Sequence, residues 1–339
     1  MSCEIRGLQE TELAAHAKLV YESYREYVSD DSNPLANPHW WLEVVEHDPY
    51  YFPEQSRVMV LDGALVASVT CYWREMYCAG RVATVGAIGS VATHPDHRRQ
   101  GYVREVLTEA RQWMHDNQFD CSFLFGKEEV YGGSGWRLLS SLETTAVLRP
   151  PAGDLGLTVR PADFEVDVPA LAAIYHEFNA TLTGPFLRPE EYWERRVAGG
   201  YFHDRRPEFH LIAEGSQPVA YFRSGGAGQV AELGWLRSDP ALPSRVIGTI
   251  LQQWPQVTET RFSFCTRELL AAVAPLIWAP TAAALGEKRG LLRLEECYKG
   301  LWTYIGTGEG QFPEVVDTTS LLAFLRENEH VFWGGVDSF

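Results

Sequence analysis

The stretch of sequence that decides the fold runs from Val85 to Arg104 and reads VGAIGSVATHPDHRRQGYVR. Its first part is rich in Val, Ile, Ala and Gly, which predicts a strand over Arg81–Val91. A basic loop follows, and then a helix is predicted from about Gly101 to Asp116, because its apolar residues form a stripe on one side. Strand, glycine-containing loop and helix therefore follow one another directly.

The turn at the start of that helix predicts an anion site. The first amides of a helix have no intrahelical partner and lie at the positive end of its dipole, which suits a pyrophosphate. Gly101 lets the backbone approach such a ligand, and Arg98, Arg99 and Arg104 add positive charge. The glycines inside the preceding strand do not have the G-x-G-x-x-G spacing, which argues against a dinucleotide-binding oxidoreductase.

Composition limits the partners of the chain. It has 339 residues, and 29 Lys and Arg against 45 Asp and Glu give a net charge of −16. Such a surface repels nucleic-acid phosphates and anionic lipid headgroups, so neither a nucleic acid nor a membrane is expected as a partner. The apolar fraction of 45% is enough for a folded core.

The cysteines and the N-terminus predict a cytoplasmic protein. None of the six cysteines forms a C-x-x-C pair, so we expect reduced thiols rather than a disulfide framework. The ten histidines do not fall into ligand spacing with them, and no metal is expected. Residues 1–12 lack the apolar segment of a signal peptide, and no apolar run approaches the roughly 18 residues of a membrane span.

A segment with two prolines and two glycines, Leu148–Gly156, predicts a linker between two halves. On either side of it helices and strands alternate in a similar order, which predicts an α+β (α/β) fold with two copies of one topology. We expect domains over residues 1–150 and 151–310, followed over 311–339 by a helix and a tail. Within the first domain, Val130–Leu139 is predicted to be helical.

The loop resembles that of a known family. Arg98-x-x-Gly101-x-Val103, preceded by Val91-x-Thr93 at a strand-to-helix turn, is similar to the acetyl-CoA loop of the GCN5-related N-acetyltransferase (GNAT) superfamily. Val103 stands where most members have Gly or Ala. A bulkier aliphatic residue there resembles the branch that contains the enhanced intracellular survival (Eis) acetyltransferases.

A second segment resembles the same branch. YGGSGW, over Tyr131–Trp136, is similar to its Tyr-Gly-x-x-Gly-aromatic pattern. These motifs cover residues 1–150, whereas residues 155–310 resemble the branch only in topology. The resemblance implies two tandem GNAT-like domains, each a mixed, mostly antiparallel sheet flanked by helices, with a C-terminal tail that returns to the active site.

The resemblance also implies a site. Tyr131 would be the general acid for the leaving thiolate, and the C-terminal carboxylate of Phe339 would be the general base for the amine. The corresponding turn of the second half, Arg237–Ser244, has two prolines, an aspartate and no glycine, so we expect no CoA there. The residues expected to bind acetyl-CoA are Val91, Ala92, Thr93, Arg98, Arg99, Gln100, Gly101, Tyr102, Val103, Arg104, Gly126 and Lys127.

Other side chains near these motifs compete for functional roles, each with a plain structural alternative. The charged side chains act either as acids and bases in a pocket or as structural residues of solvated turns and loops. They are Asp30, Asp31, His94, His97, Glu128 and Glu129. The aromatic ones form either a pocket wall or core packing: Trp40, Trp41, Tyr50, Tyr51 and Phe52.

The sequence thus predicts an acyltransferase that moves an acetyl group from acetyl-CoA to a primary amine, carried by a cationic small molecule, through direct attack in a ternary complex. Two alternatives stay open, a protein or peptide N-acetyltransferase and a non-catalytic acyl-CoA-binding sensor. A homo-oligomer is also left open. The acceptor itself is not specified, because acceptor contacts come from loops whose chemistry the fold does not determine.

Overall fold

The described residues form a mixed α/β structure. The first half alternates helices and strands. The computed structural model describes residues 2–28, 33–199, 208–278, 291–306, 312, 314–328 and 330–331. The strands of the first half are β1 (Cys3–Gly7), β2 (Ser56–Leu61), β3 (Ala64–Cys78), β4 (Arg81–Thr93), β5 (Cys121–Leu124) and β6 (Arg137–Val147). Its helices are α1 (Leu13–Tyr24), α2 (Trp40–Glu46), α3 (Tyr102–Asp116) and α4 (Glu128–Tyr131).

The second half repeats this alternation. Its strands are β7 (Thr158–Pro161), β8 (Thr183–Phe186), β9 (Phe209–Glu214), β10 (Gln217–Ser224), β11 (Gln229–Trp235), β12 (Glu259–Phe262) and β13 (Leu292–Tyr304). Its helices are α5 (Val168–Asn179), α6 (Glu190–Tyr192), α7 (Leu242–Gln253), α8 (Arg267–Val273) and α9 (Thr318–Glu327). The strand and the helix predicted around the basic loop are confirmed as β4 and α3.

These strands form one sheet in the order β1-β2-β3-β4-β5-β13-β6-β12-β11-β10-β9-β7, with β8 paired to β3 outside this path. Two neighbouring pairs are parallel, β4 with β5 and β11 with β12, and the other described pairs are antiparallel. Each parallel pair is connected by one helix, α3 or α7. This confirms the predicted fold class, a mixed and mostly antiparallel sheet flanked by helices.

Strand β13 connects the two halves. A strand is predicted over Tyr298–Ile305 as the end of the second half, but β13 begins at Leu292 and lies between β5 and β6 of the first half. It pairs with β5 over Leu301–Tyr304 and with β6 from Leu292 to Tyr298 and again at Leu301 and Trp302. The halves therefore share a continuous sheet. Such pairing between distant segments leaves no local trace in the sequence.

The helix predicted over Val130–Leu139 is wrong in its second part. α4 ends at Tyr131, a 3-10 turn covers Gly132–Ser134, and Gly135 has a φ of +105°. Three glycines within four residues end the helix, because glycine loses more conformational entropy than other residues when it becomes helical and readily adopts a left-handed backbone. β6 then begins at Arg137, where cross-strand pairing outweighs the apolar spacing of this segment.

Packing places the helices on both faces of the sheet. α3 covers one face of the first half through Val106, Leu107, Ala110 and Met114, all buried. α1 and α2 cover the opposite face, and a third apolar cluster lies in the second half. Within the described ranges no helix is long and apolar enough to span a bilayer.

Candidate active site

The turn between β4 and α3 has the geometry predicted for an anion site. β4 ends at Thr93, one 3-10 turn covers Pro95–His97, and α3 begins at Tyr102. Gly101 has a φ of +85°, and a Cβ atom built there would meet nothing within 4 Å. The backbone conformation therefore favours glycine, while the space in front of the turn is open to a ligand.

An open groove in front of this turn, the loop groove, brings most of the predicted cofactor residues together. Its volume is about 340 Å³. The side chains of Val130 and Ser134, which follow β5, form its opposite wall. The predicted residues that line the loop groove are Thr93, Arg99, Gln100, Gly101, Tyr102, Val103 and Arg104.

A second cavity of about 500 Å³, the arginine cavity, adjoins the loop groove and shares Arg104 and Ser134 with it. Arg111 and Arg137 also line it. Arg111 donates to the carbonyl of Ser134 at 3.0 Å, and Arg137 donates to two backbone carbonyls at 2.5 and 3.1 Å. Burial lowers the pKa of Arg111 from its ordinary value. These guanidinium groups are thus held by neutral oxygens.

The contrast with other arginines is clear across the described ranges. Arg57 and Arg293, for example, bind the carboxylates of Glu109 at 2.5 Å and Glu259 at 3.1 Å. No such ion pair with a described carboxylate is formed by four arginines of the two cavities, Arg99, Arg104, Arg111 and Arg137. In a chain with a net charge of −16, four such cations line two adjoining cavities, an arrangement that can attract a polyanion.

Sequence reasoning missed Arg111 and Arg137. Arg104 and Arg111 are seven residues apart, which puts them on one face of α3 two turns from each other. That spacing was an available signal. Arg137 joins them only because β6 begins where a helix was predicted.

Arg98, a predicted cofactor residue, lies elsewhere. Its guanidinium forms an ion pair with Glu26 and donates to the carbonyl of Ser23 at 2.9 Å. It is not among the residues that line the loop groove. The structure therefore places it as a brace between the loop and the end of α1, and its contact with a cofactor stays a prediction.

The end of β4 offers backbone donors at an open edge. Parallel pairing of β4 with β5 ends at Ile88 and Leu124, whereas β4 continues to Thr93 beside β3. The amide of His94 donates to the carbonyl of Val66 on β3 at 2.9 Å. Because backbone groups alternate along a strand, the amide of Thr93 faces the opposite, open edge.

A third cavity of about 340 Å³, the acceptor cavity, lies on the other side of this edge. Val91, a predicted cofactor residue, lines it, and the Val91 carbonyl accepts a hydrogen bond from the hydroxyl of Tyr24 at 2.9 Å. Ala92 is buried in the core beside it. The described lining contains no carboxylate and consists of Tyr24, Leu35, Trp40, Ile88, Gly89, Ser90, Val91, Leu124, Phe125 and Tyr131.

Tyr131 lines the acceptor cavity, and the preceding residue, Val130, lines the loop groove. Its ring lies flush on Gly126, where a Cβ atom would be 2.4 Å from Cε2. Burial raises the pKa of the Tyr131 hydroxyl, and the nearby Tyr298 raises it further. A raised pKa keeps the phenol protonated, as a proton donor requires. Lys127 is exposed, and its carbonyl accepts the amides of Val130 and Tyr131 at 3.0 and 3.2 Å at the start of α4.

The charged competitors have plainer placements. Glu128 and Glu129 are exposed in the first turn of α4. His94 lies 3.7 Å from a carboxylate of α1, and His97 lines the loop groove. Two further candidates fall outside the described residues: Asp30 and Asp31.

The aromatic candidates divide between cavity and core. Trp40 lines the acceptor cavity, whereas Trp41 is only 1% exposed and contacts the ring of Tyr51 at 5.6 Å. Tyr50 stacks on a tyrosine of α6 at 6.2 Å, and Phe52 contacts a tryptophan of α3 at 6.5 Å. The predicted pocket wall is therefore formed by Trp40, with the other four rings packed around it or away from it.

The chain approaches this region again near its end. His330 lies edge-on to Trp302 at 5.3 Å, and its carbonyl accepts from the Ser141 hydroxyl at 2.6 Å. The amide of Val331 donates to the carbonyl of Thr183 at 2.7 Å. The predicted base, the carboxylate of Phe339, lies outside the described residues.

One family model matches the part of the chain that contains this site. Residues 4–139 match the acetyltransferase (GNAT) domain model. None of the curated proteins compared matches the sequence significantly. The match to residues 4–139 includes all residues of the acceptor cavity and the loop groove described above.

Solved structures share the fold at low identity. A conserved protein of unknown function from Enterococcus faecalis has a TM-score of 0.64 and 13% identity, over 90% of this chain and 73% of its own. A GCN5-related N-acetyltransferase from Anabaena variabilis has a TM-score of 0.59 and 12% identity, over 90% and 73%. Eis1 from Mycobacterium abscessus has a TM-score of 0.57 and 16% identity, over 90% and 74%. Residues 4–139 thus match the acetyltransferase (GNAT) domain, which confirms the resemblance of this part of the sequence to the GNAT superfamily.

Proposed function

We propose that the protein transfers the acetyl group of acetyl-CoA to a primary amine of a cationic small molecule, by direct attack in a ternary complex. The observation that supports this best is that two cavities meet at the end of β4. On β4, Thr93 lines the loop groove and Val91 lines the acceptor cavity. On α4, Val130 lines the loop groove and the next residue, Tyr131, lines the acceptor cavity. A thioester and an amine bound on the two sides would have their reacting atoms at the shared wall.

The loop groove suits the nucleotide end of acetyl-CoA. The first amides of α3, with Arg99 and Arg104, would hold the pyrophosphate. Arg111 and Arg137 in the adjoining arginine cavity would hold the remaining phosphate on the ribose. A charge-assisted hydrogen bond of this kind contributes roughly 1.5–3 kcal/mol, so several together account for a firmly held cofactor.

The acceptor cavity suits a cationic amine through its rings. Tyr24, Trp40, Phe125 and Tyr131 line it, and an ammonium group over an aromatic face is stabilised by about 0.5–2 kcal/mol. The net charge of −16 attracts cations to the protein as a whole. An acceptor with more than one amino group could keep one charged against a ring while another reacts as the neutral amine.

The chemistry needs a polarised carbonyl and one proton donor. The acetyl thioester of CoA supplies the activated carbonyl carbon. The amide of Thr93, at the open edge of β4, would donate to the carbonyl oxygen as negative charge develops there. When the amine nitrogen has bonded to the carbonyl carbon and the carbon–sulfur bond breaks, Tyr131 would give its proton to the leaving thiolate.

The proton lost by the amine needs a base, and we propose the C-terminal carboxylate of Phe339. Eight residues, 332–339, follow Val331, and an extended chain of that length reaches roughly 26 Å. From His330, ring contacts lead through Trp302 and Phe123 to the acceptor cavity at 5.3, 4.7 and 5.8 Å. An α-carboxylate has an ordinary pKa of roughly 3.5, and an apolar cavity would raise it toward a useful range.

Thiol release from acetyl-CoA tests the proposal on the full chain, with spermidine, an aminoglycoside and a lysine-containing peptide as acceptors. Tyr131→Phe should lower kcat about 100-fold while acetyl-CoA still binds, because general acid catalysis contributes about that much. Two residues added after Phe339 should lower kcat similarly in a folded protein.

Each other outcome overturns a stated part. Unchanged turnover in the extended chain removes the role of Phe339. Release with the peptide alone means a peptide acetyltransferase. Binding of acetyl-CoA without release on any amine means a sensor.

A further inference from the structure

The hydroxyl of Tyr298 bridges both backbone groups of one residue. It accepts from the amide of Gly126 at 2.9 Å and donates to the carbonyl of Gly126 at 2.8 Å. Tyr298 belongs to β13, in the second half of the chain, whereas Gly126 follows β5 in the first. A side chain thus satisfies the backbone of a segment 172 residues away.

The end of β5 explains why such a bridge is present. β13 pairs with β5 only over Leu301–Tyr304, and its pairing with β6 shifts in register between Tyr298 and Leu301. Gly300 lies at this shift with a φ of +96°. Gly126 therefore has no strand partner on the β13 side, and the Tyr298 hydroxyl takes the place of the missing ladder bonds.

The residue that Tyr298 bridges, Gly126, lies against the ring of the proposed general acid, Tyr131. The ring of Tyr131 lies on Gly126 so closely that a Cβ atom there would be 2.4 and 2.8 Å from two ring carbons. The next peptide, at Lys127, accepts the amides that begin α4. The Tyr298 ring also lies 6.2 Å from that of Phe125 in the acceptor cavity wall. The Gly126 peptide thus packs directly against the ring of Tyr131.

We infer that Tyr298 is a positioning residue for acetyl transfer, because its hydroxyl fixes the Gly126 peptide and through it the ring of Tyr131. The inference rests on the proposed function. Tyr298 lies outside residues 4–139, so the geometry of the GNAT domain is completed by a strand from the other half of the chain.

Tyr298→Phe tests this, since it keeps the ring and removes only the bridging hydroxyl. We expect kcat to fall roughly 3- to 10-fold when the two hydrogen bonds of this hydroxyl are lost, with KM for acetyl-CoA nearly unchanged. The alkaline limb of the kcat profile should move to lower pH, because Tyr298 helps to raise the pKa of Tyr131. Tyr304→Phe is the matched control at the other end of β13, and it should leave both quantities unchanged.

A double-mutant cycle separates positioning from general stability. If Tyr298 acts through Tyr131, Tyr298→Phe should change kcat little in a protein that already carries Tyr131→Phe. The inference is overturned if Tyr298→Phe lowers kcat equally with Tyr131 and with Phe at position 131. It is also overturned if the single variant Tyr298→Phe changes neither kcat nor the alkaline limb of its pH profile. If Tyr131→Phe itself is fully active, the proposed acid fails instead, and the two failures are thus distinguishable.

Discussion

Two turns of this molecule are topologically equivalent and chemically opposite. β4, α3 and β5 form one parallel crossover, and β11, α7 and β12 form the other. At the start of α3 stand Gly101 and arginines without carboxylate partners among the described residues. At the start of α7 the Asp239 carboxylate accepts the amide of Ala241 at 2.8 Å. Arg237 and Arg245 are both ion-paired, at 2.7 and 2.6 Å from glutamates.

The difference shows how one topology yields or loses an anion site. The dipole and the free amides at a helix start are common to both turns. In the second half the chain's own aspartate takes that position, and carboxylates neutralise the cations beside it. In the first half the same positions are left open to a ligand. This supports our prediction that the second half does not bind CoA, which stays a prediction.

The largest effect should come from closing the open turn. Gly101→Val puts a branched side chain at a φ of +85° in front of the α3 amides. We expect the affinity for acetyl-CoA to fall at least about 100-fold, since the amides and the phosphates can no longer meet. Isothermal titration with acetyl-CoA measures it.

Gly63 provides a matched control for that variant. It lies in the β2–β3 hairpin, also with a φ of +85° and nothing within 4 Å of a built Cβ atom. Gly63→Val therefore brings the same backbone strain without approaching the site, and it should bind acetyl-CoA normally. Normal binding by Gly101→Val would show that the turn does not hold the cofactor.

A smaller loss should follow from removing Arg111 and Arg137, whose guanidinium groups donate to carbonyls and form no ion pair with a described carboxylate. Arg111→Ala with Arg137→Ala should weaken acetyl-CoA binding about 10-fold to 30-fold, and the affinity should depend less on salt. Arg237→Ala, at the turn of the second half, is the comparison. This variant breaks the ion pair between Arg237 and Glu268. Because the pair is partly exposed, we expect little change in the stability of the protein and none in its affinity for acetyl-CoA. A similar fall in both proteins would mean a general charge effect.

The parts of the fold that sequence could predict are those with local causes. Gly101 and the apolar stripe of α3 specify the turn and the helix within about twenty residues, and both are confirmed. The placement of β13 depends on pairing with β5 and β6, more than 140 residues earlier, and was not predicted.

The candidate site divides in the same way. Tyr131 was recognised from its own segment. Tyr298 and Arg137 reach the site only through the pairing of β13 with β6, and Arg98 turns away because Glu26 lies beside it on the other side of the loop. Side chains whose partners come from distant segments were therefore the ones that sequence reasoning missed or placed differently.

The last prediction concerns stability rather than binding, at two buried histidines outside the candidate site. Burial lowers the pKa of His330 from 6.5 to about 3, and burial does the same for His16 on α1. Between pH 6.5 and pH 3 the unfolded state therefore binds more protons than the folded state. The contribution of each neutral histidine to the free energy of unfolding is fully present above pH 6.5 and is lost as the pH falls toward 3. At pH 5 each histidine should cost on the order of 2 kcal/mol of the free energy of unfolding.

Urea unfolding at pH 7 and pH 5 measures the loss. His330→Leu should remove about half of it and His16→Leu the other half, whereas an undiminished loss in both variants would place the acid sensitivity in other groups.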